Sequence, residues 1–187
     1  MIHLQKAEDP YLFFLGNHLD CSIVAGPWIA GGAVWRSVLG EDIDQSDYDI
    51  YVRNHDQYIE VFNRIMMLKD ASVLFTSENA VTFNWRRKLQ IIKHSKDSIQ
   101  DVLSSFDFTV CQFGTDGKDI VTISELNKQD LQKRVLELAN PSKLTPKIVP
   151  RVAKYMQYGF APSKEIVEAM CNMTGPMDFS TECEYAE

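Results

Sequence analysis

The chain has 187 residues, 45% of them hydrophobic, and a formal net charge of −7. A core of this size buries most of its unfolded surface without staples, so one compact domain with a small appendage is expected. No apolar run approaches the roughly 20 residues that cross a bilayer; the longest N-terminal apolar stretch, Tyr11 to Leu15, is too short for a span or a cleavable leader, which excludes membrane insertion.

Cys21, Cys111, Cys171 and Cys183 are widely spaced and form no C-x-x-C pair, which predicts a cytoplasmic, reducing environment. The net charge conceals three zones. Residues 1–125 carry 11 basic and 18 acidic side chains, residues 126–164 carry 8 and 2, and residues 165–187 carry 0 and 6. A basic segment following an acidic one provides a surface for a polyanion, although a solvated helix face has the same composition.

Asp9-Pro10 reads as a helix cap and first helical residue, with Leu12, Leu15 and Leu19 on one face of the helix that follows. Ser22 to Ala30 reads as a buried strand interrupted by Gly26-Pro27. Gly31-Gly32 then turns the chain into an apolar helix from Ala33 to Leu39 that Gly40 ends. After an acidic loop, Tyr48, Ile50 and Val52 alternate with Asp47, Asp49 and Tyr51, the period of a half-buried strand.

Asp56 to Leu68 has helical periodicity through Tyr58, Phe62, Ile65 and Met66. Ala80 to Trp85 and Lys88 to Lys93 form a predicted hairpin around Arg86-Arg87; with Lys88, these arginines suit either the steering of an anion or the ordinary basic composition of an exposed hairpin turn. A short helix over Asp97 to Leu103, a strand over Phe106 to Phe113, a turn at Thr115-Asp116-Gly117 and a strand over Ile120 to Ile123 follow. Ser124 is expected to cap a helix reaching Leu138. Pro141, Pro146 and Pro150 punctuate a connector, and Val152 to Tyr158 and Ser163 to Met173 read as two small helices.

Two aspartates at i and i+2 on a strand project to one side, about 6.5 Å apart at the backbone, close enough to share metal ions. Asp47 and Asp49 have that spacing. Gly31-Gly32 removes side-chain bulk at a strand-to-helix junction, where backbone amides and a helix N-terminus approach a phosphate, and Arg36 lies one turn further along. An EF-hand starting at Asp42 is ruled out because Asp47 and Arg53 would stand where Gly and Glu belong, and a P-loop because Gly-Lys-Ser/Thr is missing.

The block from Ile29 to Gly40, with Gly31, Gly32 and Arg36, followed by Ser46-Asp47-Tyr48-Asp49-Ile50-Tyr51-Val52, resembles the polymerase-beta-like nucleotidyltransferase superfamily. It is most similar to the head domain of class II CCA-adding enzymes and bacterial poly(A) polymerases. The resemblance implies an α/β (α+β) fold: a palm-like mixed sheet with flanking helices and a small C-terminal helical appendage. It implies an enzyme that binds Mg²⁺ (or Mn²⁺) and an NTP such as ATP, and transfers NMP to an acceptor hydroxyl. Gly31, Gly32, Arg36 and Arg151 would bind the nucleotide, Asp47 and Asp49 the metal.

Asp107-Phe108-Thr109 is similar to the family's next motif and Arg151 to Phe160 to its neck helix. The implied organisation is a head over residues 1–125, a basic neck-like segment over 126–173, and an acidic, flexible tail over 174–187. Two departures stand out. Ser105-Phe106 replaces the arginines that precede Asp-Phe-Thr, and the base-reading Glu-Asp-x-x-Arg motif falls on Lys147-Ile148-Val149-Pro150-Arg151, without its carboxylates.

The third carboxylate common in the superfamily has two candidate positions, Asp107 and the Leu89-Gln90-Ile91 strand; because Gln90 is neutral, Asp107 completes the expected catalytic set. Tyr155, Tyr158 and Phe160 suit either base stacking or core packing, and His55 and His94 lack metal-ligand spacing. The leading function is a nucleotidyltransferase acting on an RNA 3′ end, tRNA included, in preference to a protein hydroxyl or a small molecule. The alternatives are a catalytically inactive module of the same fold that binds a nucleotide or a protein, and a small toxin or host-takeover factor using the same chemistry on tRNA.

Overall fold

The computed structural model describes residues 1–41, 46–143 and 145–173. The expected mixed α/β architecture is present. In chain order the elements are β1 (Ile2–Lys6), α1 (Pro10–His18), β2 (Trp28–Ala30), α2 (Gly32–Leu39), β3 (Tyr48–Tyr51), α3 (His55–Met66), β4 (Ser72–Thr76), β5 (Ala80–Asn84) and β6 (Lys88–Ile92). They continue with α4 (Ile99–Ser104), β7 (Phe113–Thr115), β8 (Asp119–Thr122), α5 (Glu125–Lys133), β9 (Val135–Leu136), α6 (Val149–Gln157), β10 (Ala161–Pro162) and α7 (Lys164–Met173). The expected tail over 174–187, with Cys183, and most of the acidic loop after Gly40 lie outside the described residues.

One eight-stranded sheet runs in the order β1-β8-β7-β2-β3-β6-β5-β4. Neighbours are antiparallel except β3 and β6, which pair in parallel because α3, β4 and β5 form a crossover between them. On one face Tyr48, Ile50 and Val52 join the larger core with Leu12, Leu15, Val34, Trp35, Val61, Ile65, Val152 and Ile166. On the other, Trp28, Ala30 and Tyr51 pack with Ile99, Val102 and Leu103 of α4. The alternation along β3 thus divides its side chains between two cores, and Asp49 lies on the second face, next to Tyr51.

The caps form as expected at the first two sites. Asp9 accepts a 2.7 Å hydrogen bond from the Leu12 amide, and Gly40 ends α2 in the left-handed region at φ 67°. In α3, Val61 and Ile65 are buried while Met66 is exposed.

Four expectations are corrected. Residues 22–25 form a turn instead of strand, held by Ser22, whose hydroxyl accepts from the amides of Val24 and Ala25 at 3.3 Å. The expected strand over Phe106 to Phe113 is a 3₁₀ turn at Thr109–Cys111 and a strand only from Phe113. Tertiary hydrogen bonds replace the ladder there: the Thr109 hydroxyl donates to Asp130 at 2.8 Å, and the Gln112 amide donates to the Leu103 carbonyl at 3.0 Å.

The helix capped by Ser124 stops at Lys133, where Arg134 takes φ 55° and its guanidinium pairs with Glu41 and donates to the Tyr158 carbonyl. β9 then pairs with β10. Finally, β1 and β4 are edge strands that the sequence did not signal. Every residue of β4 is exposed, so the apolar alternation that marks a strand is missing.

Candidate functional site

A cleft of about 300 Å³ opens where β2, α2, β3, β6 and α6 meet. Its lining includes Gly31, Gly32, Arg36, Asp47, Asp49 and Arg151 from the expected set, but not Asp107. The floor follows from strand register. Asp49 lies opposite Ala30 in the antiparallel pair with β2 and opposite Gln90 in the parallel pair with β6, which brings its carboxylate beside Gly31. At Gly31 φ is 88°, a conformation that favours glycine, and an added Cβ would stand 3.5 Å from Asp49 Oδ2 and from the Phe106 ring. Gly31 donates its amide to the Phe113 carbonyl at 3.1 Å, fixing the turn.

The N-cap of α2 is Gly31, which has no side chain to cap the helix, so among the described residues its first amides are left for an acceptor from outside the helix. Arg36 is locked one turn in. Its Nη1 donates to Ser46 Oγ at 2.6 Å, and its guanidinium lies 4.2 Å from the Trp35 ring centroid and 4.6 Å from that of Tyr158. The indole Nε1–H of Trp35, also in the cleft lining, is buried with no hydrogen-bond partner among the described residues. A buried donor without a partner carries a desolvation cost that a ligand oxygen relieves.

The electrostatics of the aspartate pair are unfavourable as they stand. Burial, followed by the Asp47 charge, pushes the Asp49 carboxyl up from 3.8 to about 7, against a smaller opposing effect of Lys154. Gln90 donates from its amide to Asp47 Oδ2 at 3.0 Å. Among the described residues, no three His, Cys, Asp or Glu side chains gather as a metal-binding group. Two facing carboxylates, one of them hard to ionise alone, are nonetheless a donor set that suits Mg²⁺, which takes one or two carboxylates and completes its shell with water and phosphate oxygens.

Asp107 therefore does not join Asp47 and Asp49. Its carboxylate forms an ion pair with Arg151, and its carbonyl accepts from the Ala139 amide at 2.8 Å. The physical reason is the 3₁₀ turn after Phe108, which takes Asp107 out of the strand that would have carried it to the pair. The position beside the pair belongs to Gln90, weighed in the sequence and passed over for its neutrality.

Lys154, Ser46 and Trp35 escaped the sequence reading. For Lys154 the signal was available: Arg151, Lys154, Tyr155 and Tyr158 recur at helical spacing, and all four line the cleft. In the aromatic run the contacts are those of packing. Tyr155 packs on Phe108 and Phe160, its hydroxyl 2.9 Å from Cys111 Sγ, while Tyr158 covers Arg36.

The fold has counterparts among solved structures. A CCA-adding enzyme in complex with ATP matches 93% of this chain and 47% of its own, with a TM-score of 0.73 at 16% identity. A CCA-adding enzyme with CTP matches 89% and 43%, at TM-score 0.67 and 17% identity. The Thermotoga maritima CCA-adding enzyme complexed with tRNA-CCA matches 92% and 47%, at TM-score 0.67 and 15% identity. The chain spans less than half the length of each, and the likeness establishes the nucleotidyltransferase fold. No curated protein matches the sequence. The family model described as Gabija anti-defense 2 family protein matches residues 11–134, well over half of the chain, and the chain belongs to that family.

Proposed function

We propose that this chain is a nucleotidyltransferase that moves NMP from an NTP, bound with Mg²⁺ or Mn²⁺, to an acceptor hydroxyl, and that this transfer serves the anti-defence role in its family's name. The observation that carries the reading is the single cleft in which Asp47 and Asp49 lie beside the Gly31-Gly32 turn. Neither feature is distinctive alone; their convergence within one NTP-sized space supports phosphoryl transfer.

On this reading the open amides at the start of α2 hold the triphosphate, and Arg36 and Lys154 offset its charge. Asp47 and Asp49 hold the divalent ion, which when bound neutralises phosphate charge and lowers the pKa of the attacking hydroxyl. The acceptor hydroxyl gives its proton to water, its oxygen bonds to the α-phosphorus, the bond from that phosphorus to the bridging oxygen breaks, and pyrophosphate leaves. Arg151, held by Asp107, sits at the rim where a base would lie. An RNA 3′ end is the favoured acceptor, supported by the basic residues 126–164 and by the tRNA bound to the Thermotoga maritima enzyme. A solvent-exposed enzyme operating in the cytoplasm fits the lack, among the described residues, of any helix long and apolar enough to cross a membrane.

A second reading rests on one specific observation. Gln90 occupies the position beside the pair where a third carboxylate would complete the site. A module that binds an NTP without turning it over would have this composition. The two readings separate when purified protein is incubated with each α-labelled NTP, Mg²⁺ or Mn²⁺, and total RNA or protein extract. Metal-dependent label on RNA, absent from Asp47→Ala/Asp49→Ala, is the expected result. Nucleotide binding without label on RNA or protein would replace the enzyme with the binding module.

A further inference from the structure

The β5–β6 hairpin turn borders a second, less polar cleft of about 530 Å³, lined by Tyr11, Phe14, Lys69, Trp85 and Arg86 among others. Between it and the aspartates lies a shallow depression lined by Ser46, Asp47, Trp85, Arg86, Arg87 and Lys88. The depression shares Ser46 and Asp47 with the nucleotide cleft and Trp85 and Arg86 with the aromatic one, so the three adjoin in a row, each sharing walls with the next.

The chemistry along this path is uneven. At its outer end Phe14 stacks on Trp85 at 5.7 Å between ring centroids, and the Arg86 guanidinium stands 5.7 Å from the Trp85 ring. Phe14 is 44% exposed, on the face of α1 where its neighbour Phe13 is 51% exposed. Cations follow inward at Arg86, Arg87 and Lys88, with Lys69 at the outer rim, against the acids Asp70 outside and Asp47 inside. Aromatic rings interleaved with cations, in a protein of net negative charge, offer base contacts and phosphate contacts together. A peptide would use the cations only if acidic; a duplex could not bring its bases to the rings.

We infer that this path binds a single-stranded polynucleotide, with an unstacked base against Phe14 and Trp85, its phosphates along Arg86 to Lys88, and its 3′ end directed toward Asp47. Only the placement of the 3′ end rests on the proposed function; the binding itself does not.

The test is fluorescence anisotropy of labelled single strands of roughly ten nucleotides, a length suited to such sites, in RNA and DNA versions, with protein free of nucleotide. Binding that weakens steeply with salt is expected. Arg86→Glu/Lys88→Glu and Phe14→Ala should each weaken it about tenfold or more, with melting temperatures near wild type because all three side chains are exposed. Tryptophan emission should be quenched on binding, since Trp28 and Trp35 are buried and Trp85 is the accessible indole.

Binding of either polymer with these losses supports the path, and the tighter polymer identifies the source. No binding of RNA or DNA, affinities unchanged in both variants, or equal affinity for a duplex would overturn it. Binding without NMP transfer would leave the path standing while the enzymatic reading fell; transfer to protein with no oligonucleotide binding would do the reverse.

Discussion

The floor of the nucleotide cleft and its C-terminal rim hold their charges in opposite ways. On the floor, Asp47 and Asp49 are brought together by the two-residue repeat of β3, like charge beside like charge, with Asp49 pushed up to about 7. On the rim, Arg151 and Asp107 come from distant parts of the chain and neutralise each other. An arrangement that is costly on its own calls for a cation from outside. A self-compensated pair needs none and acts by holding a shape. From this difference we propose ligand chemistry for the floor and positioning for the rim.

The largest expected effect is at Asp49 in metal-free protein. Its carboxyl keeps its proton to about 7 when folded but loses it near 3.8 when unfolded. The folded state thus binds more protons across that window, and the contribution of Asp49 to stability falls as pH rises from about 4 to 7. In chelator at pH 8, Asp49→Asn should be more stable than wild type by on the order of 2–4 kcal/mol, with the difference vanishing near pH 4. Chemical denaturation across pH measures it, and a constant difference would remove the strained floor.

Next comes the turn. Gly31→Ala places a Cβ at φ 88°, and a loss of roughly 1–3 kcal/mol is expected. Gly32→Ala adds a Cβ that, among the described residues, meets Arg36 Nη1 at 3.4 Å and Ser46 Oγ at 3.7 Å, so its stability should stay within about 0.5 kcal/mol. NTP titration should separate the two in the same order. Equal effects would mean that the turn conformation is not what the site requires.

The smallest effect belongs to the rim. The Arg151 side chain is 52% exposed and that of Asp107 19%, so Asp107→Asn should cost about 1 kcal/mol and leave metal affinity unchanged. A large loss of metal affinity in this variant would move Asp107 back onto the floor and dissolve the contrast.

The same contrast explains what could be read from the sequence. Gly31-Gly32 and the Asp47/Asp49 repeat express local rules, glycine at positive φ and side chains alternating along a strand, and both stand in one cleft. Asp107 was placed by the apolar run from Phe106 to Phe113, but that run is folded by hydrogen bonds to Asp130 and Leu103 that no local pattern encodes. Gln90 reaches Asp47 only through the parallel pairing of β3 and β6, a register set by a long crossover. β4 was missed because a strand exposed along its whole length has no hydrophobic period to detect.

The central claim is that the floor alone carries the divalent cation. Mn²⁺ binding followed by electron paramagnetic resonance, with and without NTP, in wild type, Asp47→Ala/Asp49→Ala and Asp107→Asn, tests it most directly. The account predicts an NTP-strengthened site in wild type and Asp107→Asn that disappears in the double variant; a site that survives loss of both aspartates, or is lost with Asp107 alone, would contradict it.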